Sequence, residues 1–169
     1  NPLNSLDLKY YLLANSHNLK MGEKYKFRYR TLNINGWSNF SPVGIVTFSF
    51  NPTRPSKPIL KSASSTEIVI ELKLDSIDKG AKIDKYILER NDEDVNPLFT
   101  KVETYNGSDS TYTFTAEKNG IKIGKIYKIR IKSENVNGAS DYSDELIFGF
   151  GDFPTFETSL NIVPEKSDE

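Results

Sequence analysis

Few residues in this 169-residue chain carry side chains suited to catalysis or metal binding, and their spacing does not favour either. His17 is the single histidine, lies in a polar stretch and has no neighbouring nucleophile–base pattern. Asn91–Asp94 is acidic, but it lacks the alternating ligands and fixed glycine of a calcium loop, which favours a solvated turn. No cysteine and no glycine-rich phosphate loop is present. The sequence therefore predicts a protein without enzyme activity, metal, cofactor or small-molecule substrate.

Aromatic and arginine side chains point instead to contact chemistry. Trp37, the only tryptophan, and Phe40 follow a segment in which Arg28 and Arg30 alternate with apolar residues. A guanidinium stacked on an aromatic ring contributes about 0.5–2 kcal/mol. Two interpretations stay open: the rings form a ladder with the arginines on their own hairpin, or Trp37 is a binding hot spot for a partner protein.

A related but reduced set stands further along the chain, where Arg130 precedes Tyr142. Ala139 occupies the position equivalent to the tryptophan, so a shorter ladder is expected there. Two N-glycosylation sequons begin at Asn39 and Asn106, in or beside predicted loops where a glycan acceptor would be accessible. Two sequons are about the number that chance gives in so asparagine-rich a chain.

The elements that carry these residues are two copies of one stretch, Tyr25–Ser41 and Tyr127–Ser143. They align without a gap at an offset of 102 residues, the difference between 127 and 25. Matching positions include the leading Tyr-Lys-x-Arg, the Asn-x-Asn-Gly turn and two later serines. A fixed period of this size indicates an array of small domains.

Each copy has the pattern of a β-hairpin. Large apolar residues alternate with basic ones, as in Tyr25, Phe27 and Tyr29, which is typical of a strand with one face in a core. The Asn-Gly pair that follows favours a tight turn, because both residues tolerate positive φ. A returning strand is predicted over Ile45–Phe50 and again over Leu146–Phe150.

The spacing of these residues resembles the second half of a fibronectin type III module. The resemblance lies in the run Leu19-x-Met21-Gly22-x-x-Tyr25-x-Phe27-x-Tyr29-x-x-x-Asn33-x-x-Gly36-x-Ser38-x-x-Ser41, and it recurs from Ile121 through Tyr127 to Ser143. It implies an all-β fold of tandem immunoglobulin-like sandwiches, with Tyr25 and Tyr127 as structural tyrosine corners. Trp37–Ser41 also resembles the W-S-x-W-S box of cytokine-receptor modules, with Phe40 in place of the second tryptophan.

The resemblance implies four segments. Residues 1–51 correspond to the C-terminal half of a module, with strands E (Lys9–Leu13), F and G. Residues 52–58 form a proline-rich linker, 59–151 a complete module, and 152–169 a linker or the start of a following segment. Because three strands cannot close a sandwich, the half module is expected to be part of a longer module or to be completed by a strand of another chain.

In the complete module, the alternation predicts seven strands: Ile59–Ser62, Glu67–Leu74, Ile83–Arg90, Phe99–Tyr105, Thr111–Thr115, Lys125–Ser133 and Ser143–Phe150. The family usually has a buried tryptophan late in the second of these strands. Leu72 stands at that position, with Phe114 or Tyr86 as candidates to supply the missing bulk.

Composition narrows the function classes. A net charge of −1 provides no field for nucleic acid or an anionic membrane, and no apolar run is long enough to span a bilayer. The expected function is a structural or adhesive array at the cell surface or outside the cell, whose partners are other protein modules or neighbouring copies. The alternatives are an intracellular filament or ciliary scaffold and, more distantly, an accessory module of a secreted enzyme. The Lys, Asn and Ile bias suggests a eukaryotic microbe.

Overall fold

The computed structural model of the protein describes residues 9–92 and 96–151. Its first part, which we call the first repeat (residues 9–51), is built from small elements. They are helix α1 (Ala14–His17) and strands β1 (Lys24–Phe27), β2 (Leu32–Asn33), β3 (Gly36–Trp37) and β4 (Gly44–Thr47). β1 pairs with β4, and β2 pairs with β3, both antiparallel.

The second repeat (residues 59–151) forms two sheets. Its elements are β5 (Ile59–Ala63), β6 (Glu67–Glu71), β7 (Ile83–Asp92), β8 (Asn96–Lys101), β9 (Thr111–Thr115), α2 (Ala116–Asn119), β10 (Ile126–Asn135), β11 (Gly138–Ala139) and β12 (Leu146–Gly149). One sheet has the order β5-β6-β9, and the other has the order β11-β10-β7-β8 with β12 also paired to β10.

The alternation in the sequence produces the core between these sheets. Along β10 every second residue is buried, and the same holds for β6 and β9. Ile68, Ile70, Phe114, Ile129 and Ile131 are each fully buried. Leu72 is 1 % exposed, and the nearby Phe114 and Tyr86 belong to the same cluster, so aromatic bulk is present without a tryptophan. The chain therefore has the all-β sandwich fold that its pattern predicts.

Several strand boundaries differ from the expectation. β6 ends at Glu71, because its partner β9 begins at Thr111, although Leu72 still bonds to the Ser110 carbonyl. β7 and β10 extend to Asp92 and Asn135, and β8 is displaced toward the N-terminus relative to the prediction. The predicted strand at Lys9–Leu13 is wrong: this segment is not a strand, since no counterpart of β6 lies beside it within the described residues.

The two repeats differ in what covers the inner face of their hairpins. Ile129 and Ile131 are covered by the opposite sheet, whereas the equivalent Phe27 and Tyr29 are 37 % and 74 % exposed. The first repeat therefore presents to solvent the face that the second repeat buries. Residues 1–8, 93–95 and 152–169, including the predicted segment 152–169 and part of the acidic turn at Asn91–Asp94, lie outside the described residues.

Candidate functional site

Both predicted corner tyrosines accept a backbone hydrogen bond from five residues earlier. The Tyr25 hydroxyl accepts from the Lys20 N–H at 2.6 Å, and the Tyr127 hydroxyl accepts from the Lys122 N–H at 2.7 Å. Tyr127 is buried, with its ring beside Phe148. This bond fixes the chain just before β1 and β10. Arg28 and Arg30 follow the end of β1, and Arg130 lies within β10.

Serines anchor the segment after each turn to the preceding strand. Ser41 Oγ accepts from the Tyr29 N–H, and Ser143 Oγ accepts in the same way from the Ile131 N–H, both at 3.1 Å. Ser38 does the same for the Thr31 N–H at 3.0 Å. These bonds continue the pairing between the two arms of each hairpin beyond the short paired strands next to the turn. They therefore hold Phe40 and Tyr142, which lie between the serines, over the preceding arm.

In the first repeat, the four predicted ladder residues come together. The Arg28 guanidinium lies 3.9 Å from the centre of the Phe40 ring. Arg30 lies between both rings, 4.9 Å from Phe40 and 4.2 Å from Trp37. Trp37 and Phe40 remain 54 % and 46 % exposed. The result is an alternating cationic and aromatic stack on the surface, which we call the first ladder.

The second repeat has a stack of its own, the second ladder, which is longer than the sequence predicts. Arg130 lies between two rings, 3.6 Å from Tyr142 and 3.8 Å from Phe99. The Lys132 ammonium lies 4.5 Å from the centre of the Tyr142 ring. Phe99, on β8, extends this stack beyond Arg130, at the end opposite to the position of Ala139. Its contribution could not be read from the repeat, because the first repeat has no described counterpart of β8.

A buried carboxylate joins the second ladder. Glu89 is directly opposite Arg130 in the pairing of β7 with β10 and is 9 % exposed. Its carboxylate accepts two bonds from Arg130, at 2.8 and 3.0 Å, and one from the Tyr142 hydroxyl at 2.7 Å. Lys132 donates to the same hydroxyl at 2.7 Å. Thus Arg130 is held by a carboxylate and two rings, whereas the Arg28 and Arg30 guanidinium groups contact only rings among the described residues.

Titration of these groups follows from their contacts. Burial acts to raise the pKa of Glu89, but the hydrogen bonds from Tyr142 and Arg130 outweigh it, and the pKa is lowered. The hydrogen bond with Tyr142 is the main reason that the pKa of Lys132 is raised. Glu89 and Lys132 are therefore both charged near neutral pH. Sequence reasoning did not identify Glu89 or Lys132; the outward position of Lys132 was the available signal, whereas Glu89 requires the register of β7.

The remaining predicted positions lie apart from the ladders. Asn39 is exposed in the segment between Ser38 and Ser41. Asn106 is also exposed, and its Oδ1 accepts from the Ser108 and Asp109 N–H groups at 3.0 Å, so the side-chain oxygen is committed to the turn.

His17 is on the surface, where its ring contacts Tyr10 edge-on and Nδ1 lies 3.1 Å from the Leu13 backbone. Within residues 9–92 and 96–151, no three His, Asp or Glu side chains are placed to hold a metal ion. Asn91 and Asp92, predicted to be part of a solvated turn, instead end β7: Asn91 is buried, and Asp92 pairs with Arg90 at 2.7 Å. In the same part of the chain, no helix has the length and apolarity required to cross a membrane.

The segment predicted as a linker lies against the second repeat. All three of its prolines, Pro52, Pro55 and Pro58, are buried. Thr53 pairs with Ile77 through two hydrogen bonds of 2.9 and 2.7 Å. Such packing restricts a connection that proline already stiffens by fixing φ.

Ser56 extends this attachment. The Asp75 carboxylate accepts both its backbone N–H at 2.9 Å and its hydroxyl at 2.6 Å. Burial opposes the charged carboxylate, but these bonds lower the pKa of Asp75. The segment 52–58 is thereby fixed at Thr53 and Ser56 to the loop that follows β6.

Side-chain amides of the second turn bind the end of the first repeat. Asn137 Nδ2 donates to Ser49 Oγ at 2.9 Å and to the Phe50 carbonyl at 3.1 Å. Asn135 donates to the same carbonyl at 2.9 Å. In return, Asn51 donates to the Ala139 carbonyl at 3.0 Å. We call these six residues the joint.

Beside the joint, two glycines are in close contact. Gly80 has φ of +88°, and a Cβ placed on it would lie 2.5 Å from the Gly22 nitrogen and 2.8 Å from Met21 Cγ. No side chain fits at this position without displacing the first repeat. The Phe50 N–H also donates to the Lys79 carbonyl at 3.1 Å. The relative position of the repeats is therefore determined by backbone approach as well as by amide bonds.

Comparison with solved structures identifies similar β folds. A structure of titin (domains A168-A170) superposes with a TM-score of 0.53 at 18 % identity, covering 66 % of this chain and 37 % of that one. The twitchin kinase region from C. elegans gives 0.49 at 17 % identity, covering 64 % and 18 %. The fibronectin type-III domain of human fibronectin type III domain containing protein 3 gives 0.48 at 27 % identity, covering 62 % and 91 %.

The coverage and the sequence identity limit which properties of the titin structure apply to this chain. The matched part of the chain corresponds to little more than a third of the titin structure's length, so properties of that whole molecule do not transfer. No protein-family model matches the chain. At this level of identity, the likeness to titin shows the fold alone, an all-β sandwich.

Proposed function

We propose that this chain is a non-catalytic structural and protein-contact array, in which consecutive β domains are held at a defined angle. The observation that carries the proposal is the joint. Asn135 and Asn137 bind the Phe50 carbonyl while the linker prolines pack on the second repeat. A connection with few free torsions transmits orientation and force, whereas a flexible linker permits independent motion of the domains.

The first ladder provides a contact surface for such an array. Its rings are about half exposed, and its two arginines are not paired with a carboxylate in any contact of the described residues. Tryptophan and arginine are enriched at the centres of protein interfaces. We infer that the first ladder contacts another protein module or a neighbouring copy, and that the second ladder, closed by Glu89 and Phe99, stabilises its own domain.

The proposed cellular location of the array rests on the sequence. We propose the cell surface or the extracellular space, with an intracellular filament or ciliary scaffold as the alternative and an accessory module of a secreted enzyme as the more distant one. Peptide mass mapping of the native protein with and without glycan removal separates the first two. Glycan on Asn39 or Asn106 supports the secretory pathway, and unmodified asparagines at both sites favour the scaffold.

The structural role is tested by ¹⁵N relaxation and residual dipolar couplings on the intact chain. If the joint is rigid, both repeats tumble with one rotational correlation time, and one alignment tensor fits the couplings of both. Two different tensors, or faster tumbling of the first repeat, would contradict a fixed-angle array. Addition of salt is a useful control, since neutral amide bonds should resist screening whereas the exposed Arg54–Asp144 pair should not.

A further inference from the structure

The Asn-x-Asn-Gly turns of the two repeats have the same internal structure. The Asn35 N–H donates to Asn33 Oδ1 at 2.8 Å, and the Asn137 N–H donates to Asn135 Oδ1 at 2.9 Å. The following glycines have φ of +119° and +131°. The strands that flank each turn, β2 with β3 and β10 with β11, pair in the same register, 102 residues apart. The first turn thus has the same backbone structure as the second, with its two asparagines at the same places in the turn.

In the second turn, the outer asparagine is used for contact with another repeat. Both acceptors of the Asn137 amide, Ser49 Oγ and the Phe50 carbonyl, belong to the outgoing strand end of the first repeat. Ala139, two residues on, accepts from Asn51 through its backbone carbonyl. These partners are a hydroxyl, a main-chain carbonyl and an amide, so the contact is neutral. The surface recognises a strand end, and no charged group takes part.

In the first turn the equivalent surface is open to solvent. Asn33, Asn35 and Gly36 are exposed, and Ile34 at the tip is fully exposed. Trp37 replaces Ala139, but its ring stacks on Arg30 along the hairpin. The Asn35 backbone N–H bond and the pairing of the flanking strands therefore have the same arrangement as in the occupied copy.

Resting on the proposed function, we propose that the Asn33–Trp37 turn is a second docking surface of this kind, and that its partner is the outgoing strand end of another repeat resembling Ser49–Asn51. The surface that supplies the strand end and the turn that receives it are different, so the contact is head-to-tail. Contacts of this type propagate along one direction, which suits an extended array.

The test uses the intact chain and a synthetic peptide with the sequence of residues 44–54. In the intact chain the second turn is already occupied by its own strand end, so the peptide has only the first turn to bind. Titration of the ¹⁵N-labelled chain should give saturable shifts at the backbone amides of residues 33–38 and at the Asn35 side-chain NH₂, with a midpoint in the millimolar range. A peptide of the same composition in scrambled order should give none.

Variants make the assignment specific. Asn35→Ala should abolish the shifts, and Asn106→Ala, a change in another exposed Asn-Gly turn, should preserve them. The inference is overturned if saturable shifts are absent, or if they occur on the exposed apolar face at Phe27 and Tyr29 instead of the turn. If the peptide fails to bind while a single alignment tensor fits both repeats, only this inference fails. If the two repeats tumble independently, the second turn is not held against the Ser49–Asn51 strand end. The contact on which this inference is based is then absent, and both proposals fail.

Discussion

Asn137 Nδ2 lies 2.9 Å from Ser49 Oγ, although 88 residues separate the two side chains in the sequence. Asn35 occupies the same place in the first turn without contacting another repeat, so the chain contains its own matched control. Comparing Asn137 with Asn35 separates the contribution of the side-chain amide to the joint from the contribution of asparagine to the turn.

We expect Asn137→Ala to loosen the joint, because it removes two hydrogen bonds worth about 1 kcal/mol each at most. Residual dipolar couplings should then require separate alignment tensors for the two repeats. Asn35→Ala should leave the single tensor intact, since that side chain is outside the joint. Equal effects of the two substitutions would show that the turn, and not the contact, determines the orientation.

Gly80→Ala should displace the first repeat. The added Cβ would lie 2.5 Å from the Gly22 nitrogen, and the residue would also keep an unfavourable φ of +88°. Gly120→Ala is the control, since its φ of +66° imposes a comparable strain of about 1–2 kcal/mol while no atom lies within 4 Å. Small-angle scattering should change for the first variant only. An unchanged profile for Gly80→Ala would mean that the close approach does not constrain the joint.

Glu89 should make stability depend on pH at the acidic end. Its pKa is lowered in the folded chain, so its contribution is complete above the ordinary value of 4.5 and is lost as pH falls below it through the folded pKa. Glu89→Gln should lower the free energy of unfolding by about 3 kcal/mol at neutral pH, since it leaves Arg130 without its carboxylate. The difference between the two proteins should shrink as the pH is lowered.

Urea denaturation at a series of pH values measures this difference. Glu71, whose pKa is lowered to about 2 by hydrogen bonds from Lys61 and Lys73, titrates in both proteins and therefore cancels. A constant difference between wild type and variant across the acidic range would show that the Glu89 charge is not stabilising.

The two ladders should respond differently to loss of one ring. Tyr142→Ala removes a ring that contacts both Arg130 and Lys132 and a hydroxyl that bonds to Glu89, and we expect a loss of about 2–3 kcal/mol. Phe40→Ala removes a half-exposed ring and should cost less than about 1 kcal/mol. Thermal unfolding of both variants provides the measurement, with Tyr142→Phe separating the contribution of the ring from that of the hydroxyl.

Trp37→Ala distinguishes the two interpretations of the first ladder. Because the ring is 54 % exposed, its removal should lower the thermal midpoint by only a few degrees, while binding to a partner module should be lost. A large drop in the midpoint with unchanged binding would assign the ring to stability.

The local pattern of the sequence was sufficient for the hairpins. Period-two alternation placed Ile129 and Ile131 on the inner face, and the Asn-Gly pairs located both turns. The arginines and rings of the first ladder also come together as their spacing predicts, because residues on one side of a hairpin are neighbours in space. The predicted strand at Lys9–Leu13 failed because a strand requires a paired neighbour, which local pattern does not provide.

Contacts between distant segments were decided only by the tertiary structure. Glu89 meets Arg130 because of the register between β7 and β10, and a shift of one residue would turn it to the other face. Phe99 contacts Arg130 from β8, which pairs with β7, so this contact too depends on the order of the strands in the sheet. The joint depends on how two domains approach each other, down to the absence of a Cβ at Gly80. Sequence periodicity specifies faces within an element, whereas these contacts follow from the positions of separate elements in space.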